Sequence, residues 1–204
     1  MDNEQSELDT IWEEAGAFTD QGDYDKAIET YKYILVRYGD DLTAVEYANA
    51  GLAEIYLTLV QFSQAEKHIK KAIQHDPKKP DYHYVLGSLY CLQEEWKKAI
   101  GSFQSALAIK PDDPEYLRGL GWATARNGDN AKGLMYLRQA TKLAPTNARI
   151  LMDLAALHLN IADFANARKY CHQALKANPN NALAKELLDS IEHFSEIAKD
   201  EPKG

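Results

Sequence analysis

The chain has 204 residues, of which 45% are hydrophobic and 26% are charged, so it can bury a sizeable core in one or two ordinary domains. Its formal net charge is −8 and its pI is about 5.3, which gives no global basic footprint for binding nucleic acid. The two cysteines, Cys91 and Cys171, are too far apart in sequence to indicate a disulfide framework or a paired-cysteine metal site.

The charge is distributed unevenly along the chain. Residues 1–41 hold twelve acidic and three basic residues, a net charge of −9, whereas residues 114–181 hold four acidic and nine basic residues, a net charge of +5. The opening residues lack the apolar core of a signal peptide, and no stretch is long and apolar enough to span a membrane. We therefore expect a cytoplasmic protein that binds neither membrane nor nucleic acid, with a basic far half that suits an acidic partner.

Proline recurs through most of the chain at a fixed interval. The interval is 34 residues, and it relates Pro77, Pro111, Pro145 and Pro179. A period of this size predicts a solenoid of repeated units. With the proline at place 32 of each unit, and Gly39 in its position in the first unit, the predicted units are 8–41, 46–79, 80–113, 114–147 and 148–181.

Small residues dominate three further places of the unit. Places 8, 20 and 27 hold Ala15, Ala27 and Ile34; Ala53, Ala65 and Ala72; Gly87, Ala99 and Ala106; Gly121, Gly133 and Ala140; and Ala155, Ala167 and Ala174. Small side chains let helix backbones approach closely, and large residues between them fill the remaining space. Each unit also has two apolar runs at helical spacing, divided by a polar turn. The pattern predicts two antiparallel helices per unit, with the proline ending the second helix.

Several residues have the chemistry of helix N-caps. Asp113, which precedes a first-turn proline, and Asn147 and Asn181 are each predicted to cap the helix that follows. The stretch from Ser63 to Glu66 predicts a capping box, in which the two side chains satisfy each other's backbone donors.

Four extra residues, LTAV at 42–45, separate the first two units. Thr43 followed by Glu46 predicts a capping box there. Because four residues are close to one helical turn, a longer first helix in the second unit would keep its apolar face in phase. A slack loop is the alternative, and we favour the longer helix.

The segment after the last unit predicts one further helix, over residues 182–198. Its apolar residues fall on one face, and they are Ala184, Leu187, Leu188, Ile191, Phe194 and Ala198. Stacked repeats need such a helix to cap the core of the last unit. The flanking segments, 1–7 and 199–204, are predicted to be flexible.

Motifs for catalysis are weak. The stretch GLGWAT at 119–124 has two glycines of a dinucleotide fingerprint but lacks the third, and it is predicted to lie within a helix instead of after a strand. The six histidines form no metal-binding spacing, and Cys171 and His172 are adjacent, so their side chains diverge on a helix. No nucleophile elbow or phosphate-binding loop is present. We expect no enzyme activity, cofactor or metal, with the histidines in packing or surface positions.

The pattern of small residues, aromatic residues and prolines in residues 8–181 resembles the tetratricopeptide repeat. The resemblance implies an all-α fold, a right-handed α-solenoid of stacked antiparallel helix pairs (a TPR superhelix). It also implies a non-catalytic scaffold or adaptor for protein-protein interaction. The alternative function is that of an assembly subunit or secretion-type chaperone that packs on a large partner, or associates with itself, without a peptide site.

In this family the first helices of successive repeats line a concave groove, and places 2, 5, 9 and 12 or 13 face it. Aromatic residues and arginines most often dominate binding energy. The candidate groove residues are therefore Trp12, Tyr47, Glu54, Tyr84, Arg118, Trp122, Arg126, Arg149, Met152 and Asn160.

Two ligand-binding patterns that are known in this family do not match the residues at these places. The carboxylate clamp of co-chaperones needs lysine at place 5 and asparagine at place 9 of one unit, and the asparagine ladder needs asparagine at place 6. Place 5 holds Trp12, Ala50, Tyr84, Arg118 and Met152, and place 6 holds Glu13, Gly51, Val85, Gly119 and Asp153. We expect neither arrangement.

Arg118 and Trp122 are four residues apart and therefore share a helix face. Regular stacking would place Arg149 beside them. Guanidinium groups next to an aromatic plane suit an acidic segment or a C-terminal carboxylate with an apolar anchor. The alternative is a solvated arginine pair beside a partly buried tryptophan. The expected partner is thus a protein or peptide segment, and the protein itself is expected to be a monomer or a weak homo-oligomer.

Overall fold

The computed structural model describes the backbone of residues 2–200 and the side chains of residues 6–198. The described residues form eleven α-helices and no β-strand, as the periodicity predicts. The chain divides into two compact units, unit 1 from Met1 to Glu95 and unit 2 from Trp96 to Gly204.

Unit 1 contains five helices. They are α1 (Asp2–Gln21), α2 (Tyr24–Arg37), α3 (Leu42–Thr58), α4 (Phe62–His75) and α5 (Pro80–Leu92). Helix α1 packs against α2, and α3 against α4. Tight turns join the helices of each pair, so their axes run antiparallel.

Unit 2 contains six helices. They are α6 (Trp96–Ile109), α7 (Pro114–Arg126), α8 (Asn130–Leu143), α9 (Ala148–Asn160), α10 (Phe164–Ala177) and α11 (Ala182–Asp200). Helix α7 packs against α8, α9 against α10, and α11 against α10. The repeat boundaries derived from the 34-residue period stay a prediction.

The four residues 42–45 belong to a helix. Helix α3 has 17 residues, whereas α5, α7 and α9 each have 13. The insertion therefore adds one turn to the first helix of the pair, as favoured above, and no slack loop forms.

The three predicted N-caps are confirmed. The Asp113 carboxylate accepts hydrogen bonds from the backbone N–H groups of Glu115 and Tyr116. Asn147 caps α9 in the same way, and Asn181 accepts from the N–H of Ala184 at 3.1 Å. Each of these residues precedes a helix that starts abruptly after a loop, so its side chain satisfies donors that the helix leaves unpaired.

Both predicted capping boxes are wrong. The N-cap of α3 is Asp41, which accepts from the N–H groups of Thr43 and Ala44, so Thr43 already lies inside the helix. The N-cap of α4 is Gln61, without a side-chain bond, and Ser63 lies in the first turn of that helix. A Ser or Thr followed by Glu three residues later fits the interior of a first turn as well as a cap.

The turn within each helix pair has one conformation throughout. The residue at place 15 has positive φ in all five predicted repeats, with φ of 75° at Gly22, 59° at Val60, 58° at Glu94, 99° at Gly128 and 57° at Ala162. The next residue donates its N–H to the carbonyl of place 11, as in Asp23 to Phe18 at 2.9 Å. This is the Schellman motif. It reverses the chain within two residues and so sets the two helices of a pair side by side where both belong to one unit, as in α1 with α2, α3 with α4, α7 with α8 and α9 with α10.

Close backbone approach occurs where the small residues predict it. In unit 2, a Cβ atom added to Gly121 would lie 3.0 Å from the carbonyl oxygen of Gly133, and one added to Gly133 would lie 2.9 Å from that of Gly121. Alanines at the equivalent places, such as Ala27 and Ala167, are fully buried. Places 8 and 20 are therefore the contact line between the two helices of a pair.

Two histidines pack in the core, as predicted. The rings of Tyr56 and His68 stack with centroids 5.6 Å apart, and those of His158 and Tyr170 with centroids 5.4 Å apart. In the first pair tyrosine is at place 11 and histidine at place 23, and in the second pair the two residue types are exchanged. Asn49 donates its Nδ2 to a backbone carbonyl, so its Oδ1 accepts from His68 Nδ1 at 2.8 Å. Burial lowers the pKa of His68 to about 4, and the ring is neutral at pH 7.

Helix α11 covers the end of unit 2. Ile191 is fully buried against Ala155, Ala167 and Cys171. On the outer edge, Arg168 makes a bidentate ion pair with Glu192, with N···O distances of 2.6 and 2.7 Å. These contacts are what a capping helix requires.

The segments predicted to be flexible adjoin or belong to helices. Residues 2–7 form the start of α1, and Leu8, which follows them, is buried against Ile34 and Ala44. Of the predicted tail 199–204, the first two residues belong to the end of α11, and residues 201–204 lie outside the described residues.

Candidate partner-binding surfaces

A large cavity in unit 1 lies between α1, α3 and the start of α5. Its volume is about 700 Å³. We call it the aromatic pocket, and its lining residues are Trp12, Tyr31, Tyr47, Ala50, Gly51, Glu54, Lys79, Asp81 and Tyr82. Three of the predicted groove residues, Trp12, Tyr47 and Glu54, therefore come together in one site.

Ring contacts shape the aromatic pocket. The rings of Trp12 and Tyr47 are in contact, with their centroids 5.5 Å apart and their planes at 73°. This is the T-shaped geometry that aromatic pairs prefer. The ammonium group of Lys79 lies 4.2 Å from the centroid of Tyr47 and 4.9 Å from that of Tyr82. Tyr82 in turn donates its hydroxyl to Glu46 at 2.7 Å.

The charged groups of this pocket differ in how they are compensated. Lys79 forms an ion pair with Glu46 at 3.3 Å. Burial opposes the charge on Lys79, but its contacts with Tyr82, Tyr47 and Glu46 outweigh burial and raise the pKa of its ammonium group. Glu54 makes no hydrogen bond or ion pair through its carboxylate with any described residue. The residue is exposed overall, but the pocket walls partly desolvate its carboxylate and raise its pKa.

Tyr31, on α2, lines the aromatic pocket although it is not one of the predicted groove residues. A Cβ atom on Gly51 would lie 2.5 Å from Tyr31 Cζ, so the glycine is what lets the ring of Tyr31 cross α3 and reach the cavity. The same pairing recurs in unit 2, where a Cβ atom on Gly119 would lie 2.6 Å from Phe103 Cε1. Such a pocket residue has a signal in the sequence. It is an aromatic residue at place 24 of one repeat followed by a glycine at place 6 of the next repeat.

In unit 2, Arg118 and Arg149 come together, but with carboxylates already bound. Arg118 donates its Nε to Glu115 and its Nη1 to Asp153, both at 2.9 Å. Arg149 lies 3.2 Å from the same Glu115, which also accepts from Asn147 Nδ2 at 2.8 Å. The two positive and two negative charges of this cluster cancel. Burial raises the pKa of Asp153 in spite of the neighbouring Arg118.

Trp122 lies in a separate cavity of about 330 Å³ between α7 and α9. We call it the polar pocket, and its lining residues are Trp122, Ala125, Arg126, Gly128, Asn130, Ala156, Leu157 and Asn160. Arg126 is exposed, and its guanidinium carbon lies 5.2 Å from the ring centroid of Trp96. Arg126, Asn130 and Asn160 provide hydrogen-bond donors around the tryptophan ring.

The remaining predicted residues lie outside these two pockets. Met152 is half-buried, and its sulfur lies 3.2 Å from Asn181 Nδ2. Tyr84 is half-buried on α5 and does not line either pocket. Asn160 also borders a shallower cavity of about 460 Å³ beside Phe194, which is 51% exposed.

The comparisons with known proteins show the family. The tetratricopeptide repeat model matches residues 18–89, 61–123 and 125–191. The chain therefore belongs to the tetratricopeptide repeat family, whose members are generally non-catalytic scaffolds for protein-protein interaction. A search of curated proteins finds no match to the sequence.

Many solved structures share the fold. PilF of Pseudomonas aeruginosa is 16% identical, with a TM-score of 0.76 over 96% of this chain and 87% of that protein. TTC0263 of Thermus thermophilus is 20% identical, with a TM-score of 0.73 over 91% and 99%. YrrB, a TPR protein with an unusual peptide-binding site, is 20% identical, with a TM-score of 0.65 over 84% and 87%. The predicted fold class, the tetratricopeptide α-solenoid, is confirmed.

None of the described helices is long and apolar enough to cross a membrane. In the part of the chain that the structure describes, no three His, Cys, Asp or Glu side chains are grouped to hold a metal ion.

Proposed function

We propose that this protein is a non-catalytic, cytoplasmic scaffold or adaptor that binds a protein segment in the concave groove formed by the first helices of its repeats. The observation that carries this proposal is the aromatic pocket. It is concave, walled by Trp12, Tyr31 and Tyr47, and supplied with charged groups that can orient a ligand. Apolar walls with a few placed polar groups are typical of binding sites, and aromatic side chains supply much of the energy at protein interfaces.

The polar pocket of unit 2 supports the proposal of an acidic or C-terminal segment as the partner. Arg126 has no carboxylate partner among the described residues, and it stands beside Trp122, Asn130 and Asn160. A carboxylate bound there would accept several hydrogen bonds at once, with the tryptophan ring as an apolar contact. Arg118 is less suited to this role, because an incoming carboxylate would have to displace Glu115 or Asp153.

The alternative function remains an assembly subunit or secretion-type chaperone that uses these faces to pack on a large partner or on itself. Size-exclusion chromatography with light scattering separates the two. A monomer supports the scaffold, whereas a stable dimer that shields Tyr47 and Trp122 from solvent supports the alternative.

Affinity capture followed by mass spectrometry identifies a partner, and calorimetry with the captured segment tests the site. For a complex of micromolar affinity, about −8 kcal/mol, Tyr47→Ala or Trp122→Ala should cost about 2 kcal/mol of binding free energy. Lys132→Ala is the matched control, because Lys132 is 67% exposed and pairs with Asp129 in its own turn. If neither groove variant weakens binding more than the control does, the segment does not occupy the groove.

A further inference from the structure

The aromatic pocket contains one carboxylate, that of Glu54, without an ion-pair partner among the described residues. Its lining includes two carboxylates, Glu54 and Asp81, and one ammonium group, Lys79. The charge of Lys79 is neutralised by Glu46, which lies 3.3 Å away outside the lining. Glu54 has no cation within reach among the described residues, although the pocket walls partly remove it from water. A carboxylate in such a place is stabilised when a cation is brought to it.

The rings of the pocket are suited to a cation as well. The faces of tryptophan and tyrosine rings are electron-rich and attract ammonium and guanidinium groups. The pocket already binds one such group of its own, because the Lys79 ammonium lies 4.2 Å from the Tyr47 centroid. Trp12 and Tyr31 provide further ring surface, along which the aliphatic part of a long basic side chain can pack.

Other occupants fit less well. An acidic side chain would bring a second carboxylate toward Glu54, and repulsion would oppose it. A purely apolar side chain would displace water from Glu54 without offering a cation or a hydrogen bond in return, which carries a desolvation cost. A basic side chain satisfies both the rings and the carboxylate.

We propose that the aromatic pocket binds an arginine or lysine side chain of the partner segment, with Glu54 as its ion-pair partner and Trp12 and Tyr47 as its ring walls. This inference rests on the proposed function, since it names the chemistry of the residue that the groove of unit 1 selects.

The test uses the full chain and four end-blocked peptides, acetyl-Ala-Leu-X-Leu-Ala-amide, with X as Arg, Lys, Gln or Glu. Binding is followed by NMR through the indole N–H resonances of the three tryptophans, and the Trp12 resonance is assigned with a Trp12→Phe variant. The Arg and Lys peptides should shift the Trp12 resonance and bind about ten-fold more tightly than the Gln peptide, and the Glu peptide should bind least.

Glu54→Gln keeps the shape of the side chain and removes its charge, so the preference for Arg and Lys over Gln should largely disappear. Glu29→Gln is the matched control, because Glu29 is an exposed carboxylate on α2 outside the pocket, and this variant should keep the preference. The inference is overturned if the Arg and Gln peptides bind equally well, or if Glu54→Gln leaves the preference unchanged.

The same data separate this inference from the proposed function. If the Gln or Glu peptide shifts the Trp12 resonance as strongly as the Arg peptide, the groove binds segments but does not select a cation. If no peptide shifts the Trp12 resonance, the inference is wrong, whereas the proposed function fails only if the captured segment binds Tyr47→Ala and Trp122→Ala as tightly as it binds Lys132→Ala.

Discussion

Gly119 permits the close contact between α6 and α7 in unit 2. A Cβ atom at this position would lie 2.6 Å from Phe103 Cε1, 2.7 Å from its Cζ and 3.0 Å from its Cδ1. Phe103 is only 2% exposed, so its ring has no free space into which to move. Gly119→Ala therefore forces an overlap that the core must absorb by shifting a ring or a helix.

The size of the effect follows from two opposing terms. Overpacking a well-filled core costs about 1–3 kcal/mol, whereas replacing glycine by alanine within a helix gains about 1 kcal/mol. Gly101→Ala isolates the second term, because Gly101 is exposed on α6 and a Cβ atom there would meet nothing within 4 Å. The helix-propensity gain is common to both variants, so Gly119→Ala should be about 1–3 kcal/mol less stable than Gly101→Ala.

Urea denaturation followed by circular dichroism gives the free energy of unfolding for both variants. Adding Phe103→Leu to Gly119→Ala provides a second check, because the smaller side chain relieves the overlap and the two changes should be clearly non-additive. If Gly119→Ala proves as stable as Gly101→Ala, the ring of Phe103 does not pack against the backbone of α7, and the argument for close approach at place 6 fails.

Three further changes test other parts of the structure. Deleting residues 182–204 uncovers the core under α11, and at about 25 cal/mol per Å² a few hundred Å² amounts to several kcal/mol. The thermal midpoint should fall sharply, and an unchanged midpoint would show that α11 is not a cap. Val60→Gly removes a β-branched residue from a turn with φ of 59°, and thermal unfolding should show a gain of about 1 kcal/mol; no gain would mean that the turn is not left-handed. The pKa of His68 is about 4 in the folded chain, below its ordinary value of 6.5. The contribution of the neutral ring to the free energy of unfolding is therefore complete above pH 6.5 and is lost as the pH falls toward 4. Denaturation at several pH values should show that the free energy of unfolding falls by at most about 3 kcal/mol over this range, and a His68→Gln variant should lack this fall. If the stability of the variant depends on pH as steeply as that of the parent protein, His68 is not the cause.

Much of the fold could be predicted because it depends on local patterns. The small residues at places 8 and 20 mark where two helices touch, and the contact between Gly121 and Gly133 is the direct outcome. The caps Asp113 and Asn147 are also local, since each side chain bonds to N–H groups two and three residues ahead. Ser63 was assigned wrongly because the same residue types are stable inside a first turn, and only the position of the preceding Schellman turn decides where α4 begins.

Parts of the candidate site could not be predicted, because they depend on contacts between residues far apart in sequence. Arg118 is on the expected helix face, but its ion pair with Asp153, 35 residues away, decides that its charge is compensated. Tyr31 appears from its sequence to be a core residue, and it reaches the aromatic pocket only because Gly51 leaves room on α3.

By itself, the amino-acid sequence determined the repeat, the helix pairs and the faces that the first helices present, because the spacing of small and apolar side chains is sufficient to specify them. The tertiary structure alone decided the left-handed turns at Val60 and Ala162, since neither residue favours that conformation and only the packing of the paired helices can offset its cost. It also decided which charges on the candidate binding faces are neutralised. Lys79 and Arg118 find carboxylates on neighbouring helices, whereas Glu54 does not, and such pairing is a property of distances in space that no spacing along the chain records.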